Sequence, residues 1–576
     1  MTTPDRSAPA GAHATDAAST RGGVATPTPI VPRPAATVIL LRDGGPGIEV
    51  LMMRRVEASA FAGGAYVFPG GRLDAQDLDP ALARRCLGLD EAQARSLLQT
   101  QEGALGYWIA AIRECFEESG LLLAQDAQGH PVTMNPELEA ERAALIAQST
   151  TLLEIIQRHD LQLVLDPLLY FSHWITQAGR PRRFDTRFFV TVVPSDQTAS
   201  HDGAELDEHV WIQPAMALER HHRGEFHLLF PTRRTLEELA GCNSVEAALD
   251  LARSPRPRRA MTPIHAMGRN GPTLLAPGDY PFMEVSLLDP QRTGECSCEL
   301  AIGRPVQIGP RLIRITATHP RNPALAGANS YLLGVPEAGI VVIDPGAMDS
   351  AHQAALIAHS PGPIRWVVCT HTHRAHAGGA MALAKATGAR LIGRSARSPG
   401  PEDTPITFDQ ELADGQRLAL GAIELEVIAT PGHADNHLCF VAPDDQMIFT
   451  GDHLSQGPHA TRVDASPASM KSLVAAFTRL RDTGLLHIAP GHGFLMSPAN
   501  EMFERALTDQ VGRENRVLRA LREAAYGSIE ELLAIAFHDV DVLVRARWTS
   551  TLLAHLAQLE ADGRAQRHDD HWRPRD

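Results

Sequence analysis

Three histidines fall within six residues at the end of an apolar run, Val367-Val368-Cys369-Thr370-His371-Thr372-His373-Arg374-Ala375-His376, and Gly378-Gly379 follow. The run reads as a buried strand, and side chains alternate along a strand, so His371 and His373 lie on one side while the chain stays extended. A histidine on its own is usually a satisfied core or surface group, but imidazoles gathered just past a strand end suit zinc. One loop does not complete such a site, so other strands must end at the same edge. Three later segments fit that demand: Thr430-Pro431-Gly432-His433, Phe449-Thr450-Gly451-Asp452-His453 and Ala489-Pro490-Gly491-His492-Gly493 each follow an apolar run and each offer a ligand-type side chain.

A second constellation lies far upstream, in Arg113-Glu114-Cys115-Phe116-Glu117-Glu118-Ser119-Gly120-Leu121. At about 100° per residue, Glu114, Glu117 and Glu118 share one sector of a helix, and Ile109, Ile112, Phe116 and Leu123 take the opposite face. Three carboxylates so close repel one another. A hard divalent cation such as Mg²⁺ relieves that repulsion and offers a charge for a diphosphate to bridge, whereas the plainer reading is a solvated acidic face.

The 576 residues suggest three to four domains. Residues 1–35 are Ala, Thr, Pro, Gly and Ser with few large apolar side chains, too little to offset ordering entropy, and read as a disordered tail. A first domain of α/β and α+β character spans 36–253. It opens on a hairpin from Thr37–Leu41 to Ile48–Met53, has later strands at Arg187–Val193 and His209–Ile212, and has helical stretches at 80–99, 136–158 and 234–252. Pro- and Arg-rich text marks 254–304 as a connector. A second domain, 305–500, alternates apolar strands with Ala-rich helices and reads as an αββα sandwich. In the last part, 501–576, a long helix, a capping box at Ser528-Ile529-Glu530-Glu531 and a helix with Trp548, Leu552, Leu556 and Leu559 on one face suggest a small winged-helix module.

Lys and Arg total 53 against 68 Asp and Glu, a net −15 that opposes a generic binder of phosphate backbones. The seven cysteines are odd in number and scattered, which fits a reducing compartment; Cys296 and Cys298 are the one close pair, and no second pair completes a zinc site. No apolar run approaches the ~20 residues of a membrane span and the start lacks a secretory pattern, so a cytoplasmic location with no membrane partner is expected.

The glutamate segment resembles the second half of the Nudix box, and Pro69-Gly70-Gly71-Arg72-Leu73-Asp74-Ala75-Gln76-Asp77 resembles its first half, with Asp77 where the family has Glu. Residues 78 to 112 replace the usual short spacer, an interruption that looks like the coenzyme A diphosphatase branch of the family. The resemblance implies an α/β/α sandwich and hydrolysis of a CoA- or nucleotide-linked diphosphate. It places Mg²⁺ or Mn²⁺ on Glu114, Glu117 and Glu118, and puts Arg113, Arg183 and Arg187 near substrate. Arg183 and Arg187 could equally pair with acidic neighbours.

The histidine series resembles the metallo-β-lactamase fold over about 305–500, and with the tail it is similar to the lactamase-β-like subgroup, which includes single-strand endoribonucleases. Carried over by position, His371, His373 and His433 hold one zinc, Asp452 bridges, and His376 with His492 holds a second; Asp344 supports the site from behind. Hydrolysis of an ester, thioester or phosphodiester follows. The family's Asp between the second and third histidines is Ala375 here, so the resemblance implies one tight zinc and a second that is weak or absent. The leading expectation is a two-site hydrolase of small molecules, a CoA ester or nucleotide diphosphate derivative. The alternatives are an RNA-processing nuclease gripping single-stranded RNA, and a Nudix enzyme carrying a retired lactamase-fold scaffold.

Overall fold

The computed structural model describes residues 30–575 apart from 46, 59–61, 195–196, 202–204, 255–257, 320–321, 457–466, 539–544 and 546–547. Residues 1–29 of the expected tail therefore lie outside the described residues. The chain forms two compact units, Met1–Thr262 and Pro263–Asp576.

In the first unit the central strands run in the order Leu206–Ile212, Ile48–Arg55, Arg33–Asp43, Phe184–Val192 and Leu169–Ile175, with Tyr66–Val67 and Gly70–Arg72 paired at one end. The pair Arg33–Asp43 and Phe184–Val192 is parallel and its neighbours are antiparallel. Helix Leu105–Ser119 covers one face. Its Trp108, Ile112, Cys115 and Phe116 are buried with Val38, Leu40 and Phe189 of the sheet in one apolar cluster. The expected stretch 80–99 breaks into helices Pro80–Ala83 and Glu91–Leu98 around strand Cys86–Leu87 and Gly88 at φ 85°. Helices Pro136–Ile146 and Leu152–Arg158 replace one stretch at 136–158, because Thr151 caps a new helix with Glu154 completing the box. Leu123 lies past Gly120, which ends the glutamate helix in the left-handed region at φ 71°.

In the second unit two sheets face each other. One runs Pro305–Gly309, Leu312–His319, Asn322–Val335, Gly339–Ile343, Ile364–Val368, Arg390–Gly393, Gln410–Glu411; the other runs Arg417–Leu420, Ile423–Ala429, Leu438–Ala442, Met447–Gly451, His487–Pro490. Alternation decides which way each side chain faces. Val341 and Ile343 enter the core between the sheets with Phe440 and Phe449, while Ile340 and Val342 pack outward with Leu356 and Leu383 of the covering helices. On the other side Val441 and Ile448 pack with Phe477 and Phe503 of helices Pro467–Arg481 and Ala499–Ala524. The layers are thus αββα.

Within the stretch 254–304 expected as a connector, the chain forms the hairpin Ile264–Gly268 to Gly271–Leu275 and helix Phe282–Leu288. That helix contributes Glu284, whose carboxylate forks onto buried Arg314 at 2.6 and 2.8 Å. Cys296 and Cys298 border a small apolar cluster with Ile264, Ala266 and Val285. The last part has helices Ala499–Ala524, Ile529–Ala536 and Thr549–Ala561 and a three-stranded sheet of Gly527–Ser528, His571–Pro574 and Ala565–His568. Ala554 of the third helix joins the cluster on the outer face of the second sheet. Among the described residues no helix is long and apolar enough to cross a membrane.

Candidate functional site

Strand ends at one edge of the second unit deliver every expected ligand. Asp344 follows Gly339–Ile343, His371 to His376 follow Ile364–Val368, His433 follows Ile423–Ala429, Asp452 follows Met447–Gly451, and His492 follows His487–Pro490. Apolar strands cannot hold these polar groups internally, so the groups collect where the strands stop. His371 is 1% exposed, and its Nε2 is buried with no hydrogen-bond partner. Donor atoms of His371, His373 and His433 lie within 4.8 Å of one another, as do those of His371, His376 and Asp452. The separations suit a shared cation: His433 Nε2 to His373 Nδ1 is 3.1 Å, His376 Nε2 to Asp452 Oδ1 3.3 Å, His492 Nε2 to the same oxygen 3.5 Å, and His433 Nε2 to Asp452 Oδ2 3.6 Å. Ligands at 2.0–2.1 Å from a tetrahedral zinc stand roughly 3.3 Å apart. The donor set therefore fits zinc.

The rings are aimed from behind. Asp344 Oδ2 accepts from His376 Nδ1 at 3.0 Å and from Thr370 Oγ1 at 2.7 Å, and Oδ1 accepts from the Thr370 N–H at 2.7 Å. With its proton given to Asp344, Thr370 Oγ1 takes a hydrogen bond from His371 Nδ1 at 3.0 Å, which leaves Nε2 as the free donor. His492 Nδ1 likewise gives its proton to the Gly327 carbonyl at 3.0 Å. Burial, with the neighbouring imidazoles His376, His437 and His433, drives the His371 pKa well below the ordinary histidine value. Burial alone would raise Asp452, but His376, His492 and His433 more than offset it and hold the carboxylate well below its usual range. Ala375 sits in the short turn Arg374–Ala377 and brings no ligand atom.

Sequence reading passed over Thr372, Asp403 and Asn436, which support this loop. Thr372 Oγ1 donates to Asp403 and accepts from Asn436 Nδ2 at 2.8 Å, tying residues 403–404 to the histidine loop. Asp435 accepts the N–H groups of Arg397 and Ser398 at 3.0 and 3.1 Å, a loop-holding role, and His437 is buried with Nδ1 on Thr430 Oγ1 at 2.8 Å. Only the contacts, not the residue types, distinguish these groups.

In the first unit the glutamate helix crosses the strand Gly70–Arg72. Arg113 forks onto Asp77, Nε to Oδ1 at 2.8 Å and Nη2 to Oδ2 at 3.0 Å, and its Nη1 donates to Glu114 and Glu117 at 3.0 Å each. Asp77 thus holds the arginine that spaces two of the glutamates, and it reaches despite its shorter side chain. Glu118 accepts the Gly70 N–H at 2.8 Å. Burial raises Glu114 and Glu117 to about 7, against the pull of Arg113, and raises Glu118 well above the usual range. The three carboxylates share a helix face, but among the described residues they do not form a group of three donors within 4.8 Å.

The expected arginines are engaged by the protein. Arg113 is 2% exposed. Arg183 donates to the carbonyls of Thr176 and Ile30 at 2.9 and 2.7 Å. Arg187, 5% exposed, pairs with Asp185 and lies beside His173, 5.1 Å above the Tyr107 ring. Register puts Gly71, Ala36, Arg187 and His173 in one row across four strands, with Glu114 over Gly71. Arg187 stands two strand spacings, roughly 10 Å, from Gly71, with buried Ala36 between. For Arg187 this geometry favours the pairing with acidic neighbours.

Residues 32–238 match the family model of the NUDT19 Nudix domain, and residues 325–492 that of the metallo-beta-lactamase superfamily. An atrochrysone carboxyl ACP thioesterase of Aspergillus chevalieri is 30% identical over 221 residues, 38% of this chain and 68% of that protein. A putative nudix hydrolase 7 of Caenorhabditis elegans is 28% identical over 245 residues, 42% of this chain and 73% of that one. The solved Nudix hydrolase of Alicyclobacillus acidocaldarius is 30% identical, covering 39% of this chain and 99% of that one at a TM-score of 0.34. The chain spans just under two thirds of other curated relatives, 65% and 66% of two of them.

Proposed function

We propose, for a hydrolase that belongs to the Nudix family over residues 32–238 and to the metallo-beta-lactamase superfamily over 325–492, that both sites work. The first cleaves a diphosphate linked to coenzyme A or a nucleotide, and the second an acyl thioester. An acyl-CoA would serve both. The observation that carries the second half is the buried, unpartnered Nε2 of His371 among His373, His433, His376 and Asp452. The thioester is preferred to a phosphodiester because matched relatives are named as thioesterases.

His371, His373 and His433 would hold the tight zinc; His376, His492 and Asp452 would hold a weaker one that lacks a carboxylate at Ala375. Zinc bound there supplies an acidified water and polarises a carbonyl. The chain's own part is orientation. Asp344 and Thr370 fix two rings, and Asp452, kept ionised by the imidazoles around it, can accept a hydrogen bond from a water beside the acyl carbon. In the first unit Glu114, Glu117 and Glu118 would hold Mg²⁺ or Mn²⁺, with Arg113 keeping Glu114 and Glu117 apart at fixed spacing. The tail, as a winged-helix-like module, is read as a packing element because its third helix packs on helix Pro467–Arg481, which covers the second sheet.

The test is to incubate the chain with coenzyme A, acyl-CoA, nucleotide diphosphates and single-stranded RNA under Mg²⁺ or Zn²⁺ and identify products by mass spectrometry. Glu117→Gln is expected to stop diphosphate cleavage and spare thiol release, and His371→Ala to do the reverse. RNA fragments without thiol release would replace the thioesterase reading.

A further inference from the structure

The glutamate helix ends in a completed set of hydrogen bonds, supplied largely from outside the helix. The last four carbonyls of an α-helix lack partners in its own ladder. Here Phe116 O accepts the Gly120 N–H at 3.0 Å and Ser119 O the Ser200 N–H at 2.9 Å. The two between them go to one side chain: Glu117 O accepts Arg142 Nε at 3.0 Å and Glu118 O accepts Arg142 Nη2 at 3.2 Å. Arg142 comes from helix Pro136–Ile146 and is 6% exposed.

The same guanidinium grips the loop before strand Leu206–Ile212. Its Nη1 donates to Ser200 Oγ at 2.8 Å and Nη2 to Ser200 O at 2.9 Å. Gln197 pins the start of that loop, accepting the Leu122 N–H and donating to Leu122 O and Val132 O. Room for the fork exists because residue 120 is glycine: a Cβ there would stand 2.9 Å from both Arg142 Nη1 and Ser200 Oγ. A planar fork can reach four acceptors at once and an ammonium cannot. It also sets a cation at the negative end of a helix that carries two carboxylates in its last turn.

We infer that Arg142 is a positioning residue for divalent-cation binding. It fixes the backbone that carries Glu117 and Glu118 and locks that turn to the 197–201 loop, so the carboxylates are held in place before a cation arrives. The inference rests on the reading of these glutamates as the cation site.

The experiment uses the full chain with zinc already loaded, titrated with Mn²⁺ and followed by electron paramagnetic resonance. In parallel, coenzyme A cleavage is measured over a range of Mg²⁺. Arg142→Lys keeps the charge and loses the fork; it is expected to raise the half-saturating concentration of either cation by about 10- to 100-fold. The KM for coenzyme A at saturating Mg²⁺ should stay within about twofold, a split that general loosening of the fold would not produce. Ser200→Ala should shift cation binding the same way by less. A folded Arg142→Lys chain with unchanged cation binding overturns the inference; if that variant does not fold, an unshifted Ser200→Ala overturns it. Absence of coenzyme A cleavage in the wild-type chain would count against the substrate reading alone, and the Mn²⁺ titration would still decide the role of Arg142.

Discussion

The alanine between two histidines proposed as zinc ligands is the residue on which the proposed chemistry of the second unit turns. Ala375→Asp restores a carboxylate in the turn that carries His376, and bound zinc per chain, measured by mass spectrometry of the metal, is expected to rise by about one equivalent. Unchanged zinc together with no thiol release from either the wild-type or the variant chain would favour a retired scaffold. A different histidine contributes to the pH dependence of stability. His555 is 1% exposed in helix Thr549–Ala561, where burial first and Arg513 second push its pKa down from 6.5 to about 4. The folded chain keeps this ring neutral while the unfolded chain protonates it below 6.5, so stability falls as pH drops from 6.5 toward 4. The effect is worth up to about 3 kcal/mol. His555→Gln should reduce the dependence of melting temperature on pH across that window without abolishing it, since buried His352 is pushed down to about 4 as well, and an unchanged slope would show that His555 contributes nothing.

Between elements, the contact that matters most in the first unit is glycine against glutamate. A Cβ on Gly71 would stand 2.4 Å from the Glu114 carboxylate carbon, so Gly71→Ala must push that side chain off its place beside Arg113. Diphosphate cleavage should fall at least tenfold while stability changes by no more than about 1 kcal/mol, because the displaced group is the end of a flexible side chain. A variant with wild-type cleavage would show that Glu114 has no part in the site. Elements of this kind differ in how legible they are. The histidine loop and the two halves of the glutamate box can be read in advance, because adjacent residues carry a local pattern. Arg142, Ser200, Thr372 and Asp403 cannot, since each owes its role to a partner more than twenty residues away. The stretch at 80–99 misleads for a related reason: its composition favours helix throughout, and the pairing of Cys86–Leu87 with Gln162–Val164 overrides it.

At the scale of the whole molecule the two units are expected to unfold as separate bodies, and only one contains the proposed zinc ligands. Calorimetry should resolve two transitions, and a chelator strong enough to strip zinc should lower one of them and leave the other in place. If both move together, cation binding in one unit supports the other. Asp344 gives this loss a particular character. It adopts φ 53°, a left-handed conformation uncommon outside glycine, asparagine and aspartate, and from there reaches both Thr370 and His376. A carboxylate that braces its rings in advance makes reloading a matter of an ion shedding its hydration shell, with little of the chain left to rearrange. Stripped protein should therefore recover its metal fast, long before any refolding could account for it.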